Sequence, residues 1–139
     1  MRKRPTKDEY YLQLALDTSK RGTCLRRNFG AVIVNHDEMV SSGYTGAPRG
    51  AKNCVDIDSC PREKAKVPAG ERYELCRSVH AEGNAIISAS RQEMIGGTMY
   101  LAGENVKDGT LAAAQPCKLC KRFIINAGIK KVIALQPNG

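Results

Sequence analysis

The fold is decided by Cys76-Arg77-Ser78-Val79-His80-Ala81-Glu82 together with Pro116-Cys117-Lys118-Leu119-Cys120 further along the chain. One imidazole and two thiolates can hold a zinc ion and leave its fourth position open for water. That is the arrangement of catalytic zinc sites, whereas structural sites are closed by four protein ligands. The chain has only two histidines, and His36 lies in a polar stretch typical of a hairpin turn. We therefore predict three zinc ligands, His80, Cys117 and Cys120.

Glu82 is the predicted proton carrier of this site. A lone His-x-Glu is common on surface helices, and a lone Cys-x-x-Cys can be redox-active or half of a structural zinc site. In this order, with Pro116 before the first cysteine, the two motifs form the signature of zinc-dependent nucleoside deaminases. In that chemistry an activated water attacks the base, and the glutamate carries its protons to pyrimidine N3 and then to the leaving amine.

Each half of the motif is predicted to begin a helix. Residues 79–91 have apolar side chains at helical spacing, which places His80 and Glu82 in a first turn. A second helix is expected from Cys117 to Ala127, with Pro116 suited to its start and Gly128 to its left-handed end. The metal would then lie between two helix N-termini, whose partial positive charge favours thiolates.

Size and composition indicate a single domain spanning residues 1–139, with enough chain for a hydrophobic core. No apolar run approaches the roughly 20 residues that cross a membrane, and the basic start has no apolar segment of a signal peptide behind it. Six cysteines without an export signal favour metal binding in the cytoplasm. The net charge of +8 fits a phosphorylated small substrate, a nucleic acid or an ordinary solvated surface, and does not decide among them.

The order of predicted elements is αββαβαβ. Thr6 and Glu9 form a capping box that opens a helix to about Lys20. Two β-rich runs follow as a hairpin, 30–35 and 38–44, and residues 45–72 are expected to form a long ordered loop. The remaining strands are expected at 98–102 and 130–135. This order predicts an α/β layered sheet with helices on both faces.

Four cysteines remain after the catalytic pair is assigned. A closed tetrahedral zinc site that fixes the long loop would use four cysteines and no histidine. Alternatively, some of them are buried free thiols, which pack as small hydrophobes. The predicted second, structural zinc ligands are Cys24, Cys54, Cys60 and Cys76.

The chain resembles the deoxycytidylate deaminases from about residue 10 to 133. The resemblance rests on four segments: Phe29-Gly30-Ala31-Val32-Ile33-Val34, Ser42-Gly43-Tyr44-Thr45-Gly46-Ala47-Pro48-Arg49-Gly50, Val79 to Ile86, and Pro116 to Cys120 with Ile124 to Gly128. It implies a cytidine-deaminase-like three-layer α/β/α sandwich with a mixed central sheet. It also implies hydrolysis of dCMP to dUMP and ammonia for thymidylate synthesis.

The resemblance carries further expectations about partners. Family members often form hexamers, many are activated by dCTP and inhibited by dTTP, and a second structural zinc is common. The effector segment corresponds here to Tyr44, Gly46, Pro48 and Arg49. Thr45 stands where asparagine is usual, which puts nucleotide regulation in doubt. The family sheet normally has a fifth strand, for which the sequence shows no candidate. Either the sheet of this protein has four strands, or a partner completes it.

The substrate contacts are expected just before the first strand and at the zinc motif. Arg26, Arg27 and Asn28 are candidates for the 5′-phosphate by position and by resemblance, and Ala81 is a candidate substrate contact. The arginines could equally be ordinary surface residues.

Three other functions compete with this one. Deaminases of tRNA or single-stranded DNA share the zinc motif, but they stack bases on aromatic side chains, and this chain has two Phe, five Tyr and no Trp. A zinc-stabilised binding module without catalysis would need a closed fourth ligand and no role for Glu82. A deaminase of free nucleosides would differ only in the phosphate site. We therefore expect a mononucleotide substrate, with nucleic acid and membrane partners disfavoured.

Overall fold

A computed structural model describes residues 2–68 and 76–137. Within these ranges one sheet contains four strands: β1 (Arg27–Asn35), β2 (Glu38–Tyr44), β3 (Thr98–Asn105) and β4 (Lys131–Ala134). The strand order is β2-β1-β3-β4. Strand β1 pairs antiparallel with β2 and β3, and β3 pairs parallel with β4. The predicted mixed sheet is therefore confirmed.

The described residues form six helices. They are α1 (Lys7–Ser19), α2 (Cys54–Ile57), α3 (Pro61–Lys64), α4 (Ala81–Ile87), α5 (Arg91–Met94) and α6 (Lys118–Asn126). Helix α1 begins at the predicted capping box, in which Thr6 Oγ1 accepts from the Glu9 amide at 3.1 Å. The single-turn helices α2, α3 and α5 were not predicted, because four residues are too few to show a helical period.

The two faces of the sheet bury separate apolar clusters, because side chains alternate between the faces along each strand. Val32 of β1 packs in one cluster with Tyr11 and Ala15 of α1. Its neighbour Ile33 packs in the other cluster, with Ala85 of α4. Helix α6 contributes to that second cluster through Ile124. The predicted three-layer α/β/α arrangement is confirmed, with α1 on one face and α4 and α6 on the other.

The β1–β2 turn lies where the sequence places it. His36 and Asp37 both have positive φ, 51° and 63°, as a two-residue hairpin turn requires. Asp37 pairs with Lys7 of α1 at 2.8 Å. His36 is exposed at this turn, which agrees with excluding it as a zinc ligand.

The first zinc-motif helix is shorter than predicted, and His80 lies outside it. Helix α4 ends at Ile87 rather than near residue 91, because Ser90 and Glu93 form a capping box that begins α5. His80 has an extended backbone, with φ −65° and ψ 153°, and is the N-cap residue of α4. Glu82 alone of the predicted pair lies in the first turn.

The second zinc-motif helix also begins one residue later than predicted. Cys117 is its N-cap, because the Cys117 sulphur accepts the amide of Cys120 at 3.4 Å and holds the Cys117 backbone extended. Pro116 therefore precedes the cap instead of occupying the first helical position. Gly128 has a φ of 83°, which confirms the predicted left-handed end of the helix.

Strand β1 begins three residues earlier than predicted. Antiparallel pairing with β3 extends to the pair Arg27 and Asn105, so the ladder continues past the β-rich stretch visible in the sequence. Arg27 and Asn28 are consequently the first residues of β1 and do not precede it.

The predicted loop at 45–72 contains α2 and α3, and its last residues lie outside the described part of the chain. The Thr45 amide bonds the Phe29 carbonyl of β1 at 3.1 Å, and the Val55 amide bonds the carbonyl of Thr23, between α1 and β1, at 3.2 Å. No helix in the described ranges is long and apolar enough to span a bilayer.

Candidate active site

The three predicted zinc ligands lie together where α4 and α6 begin. His80 Nδ1 lies 3.6 Å from the Cys117 sulphur and 3.4 Å from the Cys120 sulphur. Cys120 is buried, whereas His80 and Cys117 are partly exposed to a pocket. Both segments are anchored by helix caps, so the ligands are positioned by backbone geometry and by the packing of α4 on α6.

These distances fit a zinc ion. With Zn–S near 2.3 Å and Zn–N near 2.0–2.1 Å, the nitrogen–sulphur edge of a tetrahedron is about 3.6 Å. Two thiolates and one imidazole are also a donor set that zinc favours. Among the described residues, His80, Cys117 and Cys120 are the one group of three or more such side chains close enough to share an ion. With three donors among the residues that the structure describes, the group would leave the fourth position of a tetrahedral zinc ion to water.

Glu82 lies beside this group without belonging to it. Its side chain projects from the first turn of α4 and is only 5% exposed. Burial raises the pKa of the Glu82 carboxyl, while its own backbone amide and the His80 ring act in the opposite direction. Burial, followed by the Glu82 carboxylate and the Cys117 thiol, raises the pKa of the Cys120 thiol. A buried carboxylate next to an open metal position can carry protons for a bound water.

A pocket of about 200 Å3 opens onto His80 and Glu82. Its wall combines apolar side chains, Phe29 and Leu101 among them, with polar groups that converge on the same space. Apolar walls with a few convergent polar groups are typical of small-ligand sites.

Three of the four predicted substrate residues line this pocket, and the fourth does not. Arg26, Arg27 and Ala81 line this pocket. Asn28 is 8% exposed and hydrogen-bonds the Cys24 backbone, accepting from its amide at 2.8 Å and donating to its carbonyl at 3.1 Å. Asn28 thereby fixes the turn that presents Cys24, and its direct substrate role stays a prediction.

Sequence reasoning missed four polar residues of the pocket: Thr45, Arg62, Ser78 and Gln115. Thr45 is buried, and its hydroxyl accepts from the Phe29 amide at 3.1 Å. Arg62 is 6% exposed, although it lies in the stretch that the sequence describes only as a loop. The one available signal was the length of that loop, since long loops in compact domains are usually functional.

The remaining cysteines form a second cluster next to this pocket. Burial raises the pKa of the Cys54 thiol, and Cys24, Cys76 and Cys60 act in the same direction, so each of these three thiols is an electrostatic neighbour of Cys54. Cys54 and Cys60 are buried, whereas Cys24 and Cys76 line the pocket. In the described ranges these four do not reach the spacing of the catalytic group.

A second pocket of about 300 Å3 lies at the start of the segment after β2, next to Asn84 of α4. The four predicted effector residues, Tyr44, Gly46, Pro48 and Arg49, all line it, and so does Arg21. The Arg21 guanidinium lies 5.9 Å from the centre of the Tyr44 ring. The structure thus brings these residues to one cavity, separate from the zinc ligands.

Comparison with known proteins places the chain in a family. Residues 5–136 match the cytidine and deoxycytidylate deaminase zinc-binding region. The chain is 36% identical over 135 residues to the deoxycytidylate deaminase of Mycobacterium phage D29, with 94% of each chain covered. It is 34% identical over 130 residues to the deoxycytidylate deaminase of Schizosaccharomyces pombe, with 94% of this chain and 37% of that protein covered. It thus spans little more than a third of the length of the yeast relative.

The fold agrees with this relationship. A crystal structure of dCMP deaminase from the cyanophage S-TIM5, in complex with dCMP and dUMP, matches with a TM-score of 0.67 at 24% identity. The match covers 96% of this chain and 83% of that one. The fold and the His80, Cys117 and Cys120 group agree with the zinc-binding region of this class of deaminases. The chain belongs to the cytidine and deoxycytidylate deaminase family.

Proposed function

We propose that this protein catalyses the zinc-dependent hydrolysis of dCMP to dUMP and ammonia. The observation that carries the proposal is the buried Glu82 carboxyl beside the His80, Cys117 and Cys120 group, at the floor of a pocket lined by arginines. Relatives at 34% and 36% identity are named deoxycytidylate deaminases, which supports this choice of substrate within the family.

In the proposed reaction, zinc would activate the attacking water and Glu82 transfers the protons. Zinc held by His80, Cys117 and Cys120 would lower the pKa of a coordinated water to roughly 7 and so supply the nucleophile. Glu82 accepts a proton of that water and donates it to pyrimidine N3, which prepares C4 for attack. Glu82 then takes the remaining proton from the new C4 hydroxyl, which becomes the C4 carbonyl, and delivers that proton to the amino group as the C4–N bond breaks. The new C4–O bond and the departing ammonia complete the balance.

The direct test is deamination of dCMP, CMP, deoxycytidine and a cytosine-containing oligonucleotide, followed by ultraviolet absorbance with zinc present. We expect rapid turnover of dCMP and slow turnover of the other three. Preference for the oligonucleotide would contradict the proposal and favour a nucleic-acid deaminase. The observation against that alternative is that Thr45 and Arg62, from the segment after β2, help to enclose the pocket.

The second cysteine cluster is the proposed site of a structural zinc. Cys54 has Cys24, Cys60 and Cys76 as electrostatic neighbours, and four cysteine thiolates form a closed site. A metal there would link the end of α1, the segment after β2 and the chain just before His80. Such a link would hold the active-site pocket in shape, because Cys24 and Cys76 belong to its wall.

The second pocket is the proposed site for a dCTP or dTTP effector. Arg21 and Arg49 supply positive charge and the Tyr44 ring offers a surface for a base. The unusual Thr45 directs its hydroxyl to β1, where it bonds Phe29. Replacing Arg49 by Gln is expected to abolish any response of dCMP turnover to dCTP or dTTP without changing the basal rate.

We also propose that the protein is a homo-oligomer, with a hexamer as the expected assembly. Several large apolar side chains of α4 and α6 are exposed, including Ile87 at 71% and Ile125 at 72%. Apolar surface concentrated on neighbouring helices is typical of interfaces. Light scattering after gel filtration tests the assembly, and a monomer at assay concentration would contradict it.

A further inference from the structure

His80 begins α4 without the side-chain hydrogen bond that commonly holds a helix start. An N-cap side chain normally accepts from an amide of the first turn. Cys117 does so at the start of α6, where its sulphur accepts from the Cys120 amide at 3.4 Å. His80 makes no such cap bond, and its ring faces the two cysteine sulphurs instead. The angle at which the chain enters α4, and with it the direction of the His80 ring, must therefore be fixed by other contacts.

Val79, the residue just before His80, makes contacts of this kind. The Val79 amide donates to the Gly46 carbonyl at 2.7 Å, and the Val79 carbonyl accepts from the Gly46 amide at 3.2 Å. The Val79 side chain also lies close to α4, since a Cβ atom at Gly83 would be 3.3 Å from Val79 Cγ1. Val79 is therefore held between the segment after β2 and the first turn of α4.

Asn84 joins these two elements through one side-chain amide. Its Nδ2 donates to the carbonyl of Tyr44, the last residue of β2, at 2.8 Å and to the Val79 carbonyl at 3.3 Å. A primary amide has two N–H donors, so it can make both bonds at once. The Asn84 backbone amide also donates to the His80 carbonyl at 3.0 Å, which closes the first turn of the helix. One residue thus links α4 to the end of β2 and to the two residues that lead into the helix.

The sequence of α4 gives Asn84 no role in stabilising the helix itself. Glycine and asparagine are among the weaker helix formers, and Gly83 and Asn84 are neighbours in a helix of seven residues. An asparagine side chain inside a helix tends to compete for nearby backbone groups. Here the side chain bonds the carbonyls of Tyr44 and Val79, both outside the helix. The contribution of Asn84 therefore lies in the contacts between α4 and its surroundings.

We propose that Asn84 is a positioning residue for the metal site: its amide fixes the backbone at Val79 and so orients the His80 ring toward the two cysteine ligands. The effect on turnover rests on the proposed deaminase function, whereas the effect on metal binding does not. Asn84 is not part of the wall of the pocket that contains His80 and Glu82. Its loss should therefore lower kcat and leave the KM for dCMP nearly unchanged.

The experiment compares Asn84→Ala and Asn84→Asp with the control pair Asn126→Ala and Asn126→Asp, which make the same changes at an exposed position of α6. Asn84→Asp keeps the shape of the side chain but replaces the amide donor by a carboxylate. Competition with a chelator measures zinc affinity, and the absorption spectrum of the Co²⁺-loaded protein reports the geometry of the ligands. We expect both Asn84 variants to bind zinc roughly 10- to 100-fold more weakly, as is typical when a group that orients a metal ligand is removed, and to shift the Co²⁺ spectrum. Both Asn126 variants should match the parent protein.

The outcomes separate this inference from the proposed function. If the Asn84 variants keep the parental zinc affinity and Co²⁺ spectrum, the positioning role is wrong, whatever their stability. If the parent protein binds zinc but deaminates no substrate, and Asn84→Ala still weakens zinc binding and shifts the spectrum, the positioning role holds and the deaminase function falls.

Hydrogen exchange of side-chain amides, followed by NMR in the parent protein, tests the same contacts without a variant. The Asn84 amide should exchange more slowly than the exposed amide of Asn126, because both of its N–H groups are bonded to carbonyls. Equal exchange rates would show that these bonds are absent and would overturn the proposal, even if neither Asn84 variant folds.

Discussion

Gly43 of β2 lies directly against the backbone of Ala85 in α4. A Cβ atom at Gly43 would overlap the Ala85 amide nitrogen and lie 2.7 Å from the Ala81 carbonyl oxygen. Because glycine has no side chain, the backbone of α4 can contact the backbone of β2 directly. A hydrogen bond from Ser41 Oγ to the Ala85 carbonyl at 2.7 Å holds the helix in this position. Because His80 caps this helix, the close approach sets the height of the metal ligand above the sheet.

Gly43→Ala is therefore expected to damage both stability and metal binding. The added methyl meets main-chain atoms, which cannot rotate away, so α4 must shift at a cost of about 1–3 kcal/mol. Urea denaturation measures the stability, and zinc content after dialysis measures the site. Met39→Ala, at an exposed position of the same strand, is the control and should change stability by less than about 0.5 kcal/mol. Equal effects of the two changes would show that α4 tolerates the methyl.

Glu82→Gln is expected to keep zinc and lose turnover of dCMP. The amide is nearly isosteric with the carboxyl and leaves the three metal ligands intact, but it cannot accept and return a proton. Loss of general acid–base catalysis typically costs about 100- to 10,000-fold in rate. The matched control is Glu38→Gln at the exposed start of β2. A Glu82→Gln protein with parental kcat would refute the assignment of Glu82.

Metal analysis should find two zinc ions per chain, lost separately in two variants. Cys120→Ser is expected to lose one ion and nearly all activity, because it removes a ligand from the group around His80. Cys54→Ser is expected to lose the other ion and to lower the melting temperature, with a smaller effect on activity. One zinc per chain in the parent protein, unchanged in Cys54→Ser, would contradict the second site.

Tyr100→Phe should destabilise the protein more at neutral pH than in alkali. The Tyr100 hydroxyl donates to Asp8 Oδ1 at 2.6 Å and joins β3 to α1, so its removal is expected to cost about 1–2 kcal/mol. Burial, followed by this bond to Asp8, raises the pKa of the Tyr100 phenol in the folded protein. The unfolded phenol titrates near 10, so the stabilisation is complete below about pH 10 and declines above it.

Denaturation of the parent and Tyr100→Phe proteins at several pH values between 7 and 11 measures this difference. The gap in free energy of unfolding between them should narrow as the pH rises past about 10. A gap that stays constant or widens in alkali would show that the phenol does not titrate differently in the folded state. Tyr10→Phe, at a side chain that is half exposed, controls for the general effect of removing a tyrosine hydroxyl.

The catalytic group could be predicted from sequence because its geometry is local to two motifs. Cys117 is the N-cap of α6 and Cys120 lies in its first turn, and His80 is the N-cap of α4 with Glu82 in its first turn. Each pair is therefore positioned by a single turn of backbone, and only the approach of the two turns depends on the fold. Packing of α4 and α6 on the same face of the sheet supplies that approach.

The pocket wall could not be predicted in the same way. Arg62 and Thr45 reach the pocket through a segment whose path depends on contacts with β1 and with the cysteine cluster, and neither contact has a periodic pattern in the sequence. The hydrogen bonds from Asn28 to Cys24 are likewise invisible without the turn that brings them together. Sequence patterns describe regular elements well, whereas burial of a charged side chain is a property of the whole fold.

The position of β3 between the metal ligands has a consequence for how the protein matures. His80 and Cys117 are 37 residues apart, and β3, which separates them in the chain, is paired with β1 on one side and β4 on the other. An ion held by both residues would cross-link the chain and close a loop that contains β3. Such a cross-link lowers the conformational entropy of the unfolded chain. In the native structure the approach of the ligands depends on the packing of α4 and α6 on the assembled sheet. We therefore expect metal binding to favour chains in which β3 is already inserted.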